Sequence, residues 1–218
     1  MKILLQSASK VIHNNIILLL VLNVFSIVFY LDNYPAVFYV QILVQFLCVP
    51  LIYARFYSLS VGRDQETYIQ LFQDHWKNYT VVYLLLACPR ILLYKVFLLI
   101  GGTHLLEFVD YIITVLSVFI FPFVFLRRAI KIAFVQGIDF IKTDMSFNLV
   151  PMFLVSFSFF FPLVMKTLIQ RNFLYESFSM LILLSFMMSI ISSYFYLLAL
   201  VLIILKNRPN DLPEPGNT

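Results

Sequence analysis

Polar positions in this chain fall in short clusters, and long apolar runs fill the intervals between them. Six runs reach about 17 residues or more, and about 20 residues at 1.5 Å each cover a hydrocarbon layer of roughly 30 Å. They predict membrane-spanning helices near 12–31, 37–59, 79–100, 108–126, 148–168 and 178–205. The links after the first, third and fifth runs are short: Asp32-Asn33-Tyr34-Pro35, Gly101 to Glu107, and Gln170 to Ser177. Those after the second and fourth are longer and polar. The expected fold is an all-α polytopic bundle of six transmembrane helices, one domain over residues 1–206. The proline-rich, polar residues 207–218 are expected to form a disordered cytoplasmic tail.

The longer links, 60–78 and 127–147, predict amphipathic segments. In the first, Tyr68, Phe72, His75 and Trp76 share a helical face. In the second, Ile130, Phe134, Ile138, Ile141 and Met145 recur at helical spacing beside Lys131, Gln136 and Lys142. Such segments lie in the headgroup plane or pack on the bundle's own ends. A protein partner, if there is one, is expected on these two links.

Composition agrees with the pattern. The 218 residues are 62% hydrophobic and 12% charged, against about 45–50% and about 25% in soluble domains. A water-soluble fold of this length has too little interior to hide that excess. The charges matter through their placement. Lys2, Lys10, Arg55, Arg63, Lys77, Arg127, Arg128, Lys131, Lys142, Lys206 and Arg208 fall on one side of the predicted topology, and only Lys166 and Arg171 on the other. Basic residues in short loops collect on the cytoplasmic side, so both termini are expected in the cytoplasm, with the chain in the cytoplasmic (inner) membrane of a bacterium. These cations report topology; no nucleic-acid groove is indicated. Lys2 and Lys10 before an apolar run resemble a secretory signal, but no small-x-small cleavage site follows, and the segment is expected to be a retained first helix. Cys48 and Cys88 lie inside apolar runs and say nothing of redox compartment.

Two stretches echo one another. Pro50-Leu-Ile-Tyr-Ala-Arg55 closes the second run and Pro122-Phe-Val-Phe-Leu-Arg127 the fourth; each is followed by an amphipathic link and an Asp-x-x-x-Asn pair, Asp74/Asn78 and Asp144/Asn148. The next run then carries a proline, Pro89 or Pro162. This predicts parallel repeats of a two-helix unit of roughly 70 residues. Helix-end electrostatics, with Asp and Asn at starts and Arg at ends, could also generate the echo without duplication. The polar link Gly62 to Asn78, GRDQETYIQLFQDHWKN, leading into a further span, resembles the six-helix membrane domain of some bacterial glycerophosphodiester phosphodiesterases. That resemblance implies an anchoring or accessory domain and carries no catalytic residue over.

The run 79–100 holds Pro89, Arg90 and Lys95. Arg90 falls near mid-membrane, where a cation costs about 2.5–3.5 kcal/mol or more. On the predicted topology no acid shares its depth; the expected companions are Asn23, Gln41, Gln45, Ser156 and Ser189. One reading has Arg90 facing a polar cavity and binding an anion or lipid phosphate, with a carbonyl near Leu85 freed by Pro89. The other has it satisfied by carbonyls and amides inside the bundle, or snorkelling to an interface. Lys95 is expected to snorkel outward or to meet Glu107 or Asp110. Gly-x-x-x-Gly is absent, and Ser185, Ser189 and Ser193 form the nearest small-residue row. The histidines His13, His75 and His104 show no ligand spacing, and no nucleophile elbow or phosphate loop occurs. No metal and no cofactor is expected. The functional expectation is a non-catalytic membrane subunit or accessory factor for transport or envelope lipid handling. An enzyme acting on a lipid headgroup from the cytoplasmic face, through Asp74, His75 and Asp144, is the alternative.

Overall fold

The computed structural model describes residues 1–28, 44–63, 65–99, 103–127, 129–172 and 178–208. All regular structure among them is helical: α1 Lys2–Asn14, α2 Ile16–Val28, a π-helical turn Val44–Cys48, α3 Val49–Ser60, α4 Tyr68–Leu99, α5 Thr103–Arg127, α6 Ile130–Thr143, α7 Met145–Asn172 and α8 Phe178–Asn207. Three helices are long and apolar enough to cross a membrane: Leu105–Arg127 in α5, Met145–Met165 in α7 and Leu183–Asn207 in α8. They coincide with the last two predicted runs and with 108–126. Their outer surfaces suit hydrocarbon, not water: Phe153 is 68% exposed and Phe108 59%.

The remaining runs depart from expectation for identifiable reasons. The run at 12–31 is broken: α1 meets the Ile16–Val24 part of α2 at 65°, and the two make a fourth crossing only if counted as one bent span. At the break the Asn15 amide donates to the Val11 carbonyl at 2.9 Å, the local competition by which asparagine interrupts helices. The helix Phe46–Ser60 is apolar but short, and the start of the 37–59 run lies outside the described residues. Pro50 sits in the first turn of α3. Lacking an N–H, it leaves the Phe46 carbonyl without its helical partner. The Trp76 indole N–H takes that role at 2.5 Å and ties α4 to the turn.

The first amphipathic link is no separate segment. Residues 68–78 form the first turns of α4, which runs unbroken through Leu99. Leu71, His75, Tyr79, Val82 and Leu86 make its buried stripe, while Tyr68 is exposed. The second link is a helix of its own, α6. Ala133, Gly137 and Phe140 are its buried residues; Ile130, Phe134 and Ile141 of the predicted face also pack against the core, while Ile138 is 40% exposed. A small residue decides the approach: a Cβ on Gly137 would stand 2.9 Å from the Phe119 carbonyl oxygen and 3.1 Å from Ile120 Cα. Backbone meets backbone there, so α6 packs on α5.

The core lies at this same end. Every residue from Ser117 to Phe125 and from Leu197 to Leu205 is buried, so α5 and α8 are enclosed on all faces. α8 packs against α1, α2, α3, α5 and α7, and α5 against α3, α4, α6, α7 and α8. Stacked rings join three helices: Tyr57 on Phe125 at 5.6 Å and Tyr79 on Phe121 at 4.6 Å. His75 is edged between Tyr57 and Phe125.

Asp144 closes the α6–α7 corner. Its Oδ1 accepts from the Phe147 amide at 3.3 Å and the Ser146 hydroxyl at 3.4 Å, and its Oδ2 lies 3.3 Å from Lys206 Nζ. This is the helix-start role that the Asp-x-x-x-Asn pattern predicts. Asp74, its counterpart, sits inside α4 instead. The two predicted repeat units therefore differ where their echo is strongest.

Two outcomes follow for stability. Alanine at 137 gains up to about 1 kcal/mol of helix propensity, but forcing α6 from α5 costs more. Gly137→Ala should destabilise by about 1–3 kcal/mol, read as a lower melting temperature in detergent micelles; an unchanged or higher value would contradict the close approach. Desolvation pushes the Asp144 carboxyl up, but the Phe147 amide and the Lys206 ammonium outweigh it and hold it below the usual value of 3.8. Its contribution is therefore complete above the unfolded-chain value and is lost as pH falls through the folded one. Asp144→Asn keeps a capping oxygen and loses the charge. It should melt below wild type at pH 7, and the two curves should converge below about pH 4.

Candidate functional site

Above the closed end, the helices part around a cavity of about 480 Å³. α2 contributes Asn23, α3 Tyr53, α4 Tyr79 and Tyr83, α5 Asp110, Thr114 and Ser117, and α8 Ser189, Ser193 and Tyr196. Leu22, Leu86, Phe121 and Phe159 supply apolar wall. A smaller space shares Tyr53, Thr114, Ser193 and Tyr196 and extends to Ser158 and Ser192.

The polar wall is organised by short hydrogen bonds between helices. Asn23 is 1% exposed. Its Oδ1 accepts from Ser189 Oγ at 2.7 Å and Ser193 Oγ at 2.9 Å, and its Nδ2 donates to the Leu19 carbonyl at 2.7 Å. Ser117 donates to the Thr114 carbonyl at 2.7 Å, so the 2.8 Å bond between Ser117 and Tyr196 has the phenol as donor. Ser158 and Ser192 donate to each other's carbonyls at 2.8 and 2.7 Å. The rings of Tyr53, Tyr79, Tyr83 and Tyr196 form a continuous cluster, with Tyr53 stacked on Tyr196 at 5.9 Å and Tyr79 parallel to Tyr83 at 6.3 Å.

Of the residues predicted for the site, Asn23 is in the wall, bonded to Ser189 and Ser193. Ser156 is engaged elsewhere, with the Tyr111 hydroxyl at 2.8 Å. Gln41 and the side chain of Gln45 lie outside the described residues, as do the side chains of Arg90 and Lys95. The backbone of α4 nevertheless fixes the register of Arg90: it follows Tyr83 by seven residues and Leu86 by four, the spacing of one helical face. Asp110 lines the cavity together with Ala87, three positions before Arg90. Helix α5 begins at Thr103, inside the predicted loop of 101–107. For the enzymatic alternative, His75 is enclosed by aromatic rings and Asp144 is engaged with Lys206.

The tyrosine cluster was missed in the sequence because the residues are scattered over 53–196 on three helices. The only available signal was one i, i+4 pair, Tyr79/Tyr83. Among the described residues, no group of His, Cys, Asp and Glu is arranged to hold a metal ion. Comparison with protein-family models, with curated proteins and with solved structures returns no match.

Asn23→Ala removes the shared acceptor of two serines. The serines can fall back on carbonyls of their own helix, so the loss should be about 1–2 kcal/mol. Thermal unfolding in micelles measures it; a neutral substitution would mean that α2 is not held through this amide.

Proposed function

We propose that this chain is a six-span protein of the cytoplasmic membrane, with both termini inside. It acts without catalysis, as a subunit or accessory factor that holds a lipid headgroup or small polar solute for transport or envelope lipid handling. One observation carries this reading: a polar-lined cavity of about 480 Å³ within an apolar helical bundle. Polar and ionisable side chains within a membrane cost free energy and mark ligand sites or pathways, and the volume lies in the range of about 300–1,000 Å³ typical of small-molecule sites. The backbone register of Arg90, four and seven residues after Leu86 and Tyr83, supports this reading, in which its charge answers a phosphate. The length of α4, 32 residues, supports a crossing that begins outside the hydrocarbon. The apolar Phe46–Ser60 supports another that continues from the preceding residues. A partner protein would meet the links 60–78 and 127–147.

Phospholipid retained through purification tests the reading. Arg90→Gln at matched expression should carry several-fold less phospholipid than wild type, the loss of one charge-assisted contact. Full retention would remove Arg90 from the site. Reporter fusions at the two termini should both report the cytoplasm; opposite sides would require an odd number of crossings and overturn the topology.

A further inference from the structure

We infer that the cavity selects a ligand bearing a primary ammonium group, because its walls present hydrogen-bond acceptors and few donors. This rests on the reading of the cavity as a ligand site and names the chemistry that fills it. Each serine, threonine and tyrosine hydroxyl has a single proton and lone pairs to spare. Ser189 and Ser193 have donated theirs to Asn23 Oδ1. Ser117 has donated to the Thr114 carbonyl, Thr114 to the Asp110 carbonyl at 2.7 Å, and Tyr196 to Ser117. These five hydroxyls all line the cavity, and each retains only accepting capacity toward a guest. Asp110 adds a carboxylate, which accepts at several positions beyond any partner it already has.

Against this stand the phenol protons of Tyr53 and Tyr79, which make no hydrogen bond among the described residues and whose oxygens accept as well, together with the Tyr83 hydroxyl and the second Nδ2 proton of Asn23 on the same wall. The neighbouring space repeats the pattern, with both serine protons of Ser158 and Ser192 directed to backbone carbonyls. An anion in such a cavity would meet lone pairs. A quaternary ammonium would bring charge but no proton. A primary ammonium brings three donors and a charge that aromatic faces also attract. The amine could belong to a lipid headgroup or to a free solute, and both arms below address that chemistry.

Purified full-length protein is equilibrated with vesicles of equal phosphatidylethanolamine, phosphatidylcholine and phosphatidylglycerol, and bound lipid is read by native mass spectrometry. Wild type should retain phosphatidylethanolamine over phosphatidylcholine by about tenfold or more, the worth of one charge-assisted hydrogen bond. Ser193→Ala and Asp110→Asn should each shrink that ratio several-fold, and Ser193→Ala stands alone if the aspartate variant fails to fold. Ala87→Phe, which fills the cavity, should lower retention of all three lipids. In the second arm, n-butylammonium should raise the melting temperature of lipid-stripped wild type and tetramethylammonium should not. That result without a lipid preference identifies the ligand as a free amine and still supports the inference.

Equal retention of the two zwitterionic lipids with no response to n-butylammonium overturns the inference, as does a preference for phosphatidylglycerol. The cavity reading then survives if Ala87→Phe strips lipid. Retention untouched by Ala87→Phe overturns both.

Discussion

A polar side chain inside a lipid-facing bundle has no water to turn to, so its partners must come from neighbouring helices. The Asn23 amide shows how completely that constraint is met. Its oxygen takes both serine protons of α8 and one of its N–H groups returns to the carbonyl four residues back on α2. A single side chain thereby joins two helices far apart in sequence and fixes the protonic character of the cavity beside them. Serine at 189 and 193 suits this role twice over, since it lets the helices approach and still supplies a donor. The same rule explains the Phe46 carbonyl. Proline at 50 takes away its helical partner, and an indole from α4 arrives to satisfy it.

The bundle is closed at one end and open at the other. At the closed end, α5 and α8 are buried over nine consecutive residues each, and small residues allow α6 to lie against α5 backbone. The close fit leaves no room for a ligand there. Farther along the same helices the side chains change from Phe and Leu to Thr, Ser and Tyr, and the packing opens into the cavity. The rigid end fixes the helices whose other halves form the wall, which keeps the site's geometry on helices and not on loops.

Much of this was legible in the sequence. Apolar run length placed α5, α7 and α8, because a helix apolar on every face can be read without knowing its neighbours. Asp144 was legible as a helix start for a local reason, the accepting carboxylate beside free amides. What escaped depends on contacts between distant segments. The close approach of α6 could not be read from its large residues, since Gly137 and Ala133 permit it and hydrophobicity gives them little weight. The break at Asn15 lay inside an apolar run, where a count of hydrophobic residues passes over one amide. Asn23 could be named as a polar residue at depth, but its tie to both Ser189 and Ser193 belongs to tertiary structure. The four tyrosines gave no more than one i, i+4 pair, Tyr79/Tyr83.

The placement of Asp110 changes how the charge on α4 is understood. A lone guanidinium in hydrocarbon demands an explanation of its own, and an anionic ligand was the simplest. The Asp110 carboxylate of the adjoining helix lines the cavity, so the protein itself brings a negative charge to that space. The cavity then need not hold an anion in order to exist. Five of its hydroxyl protons are already committed, to Asn23, to Ser117 and to backbone carbonyls, so the character of the space is set largely by lone pairs and ring faces. On the proposed reading, Arg90 and the cavity make different demands on a guest, a phosphate for the guanidinium and donors for the cavity. A zwitterionic headgroup would meet both demands.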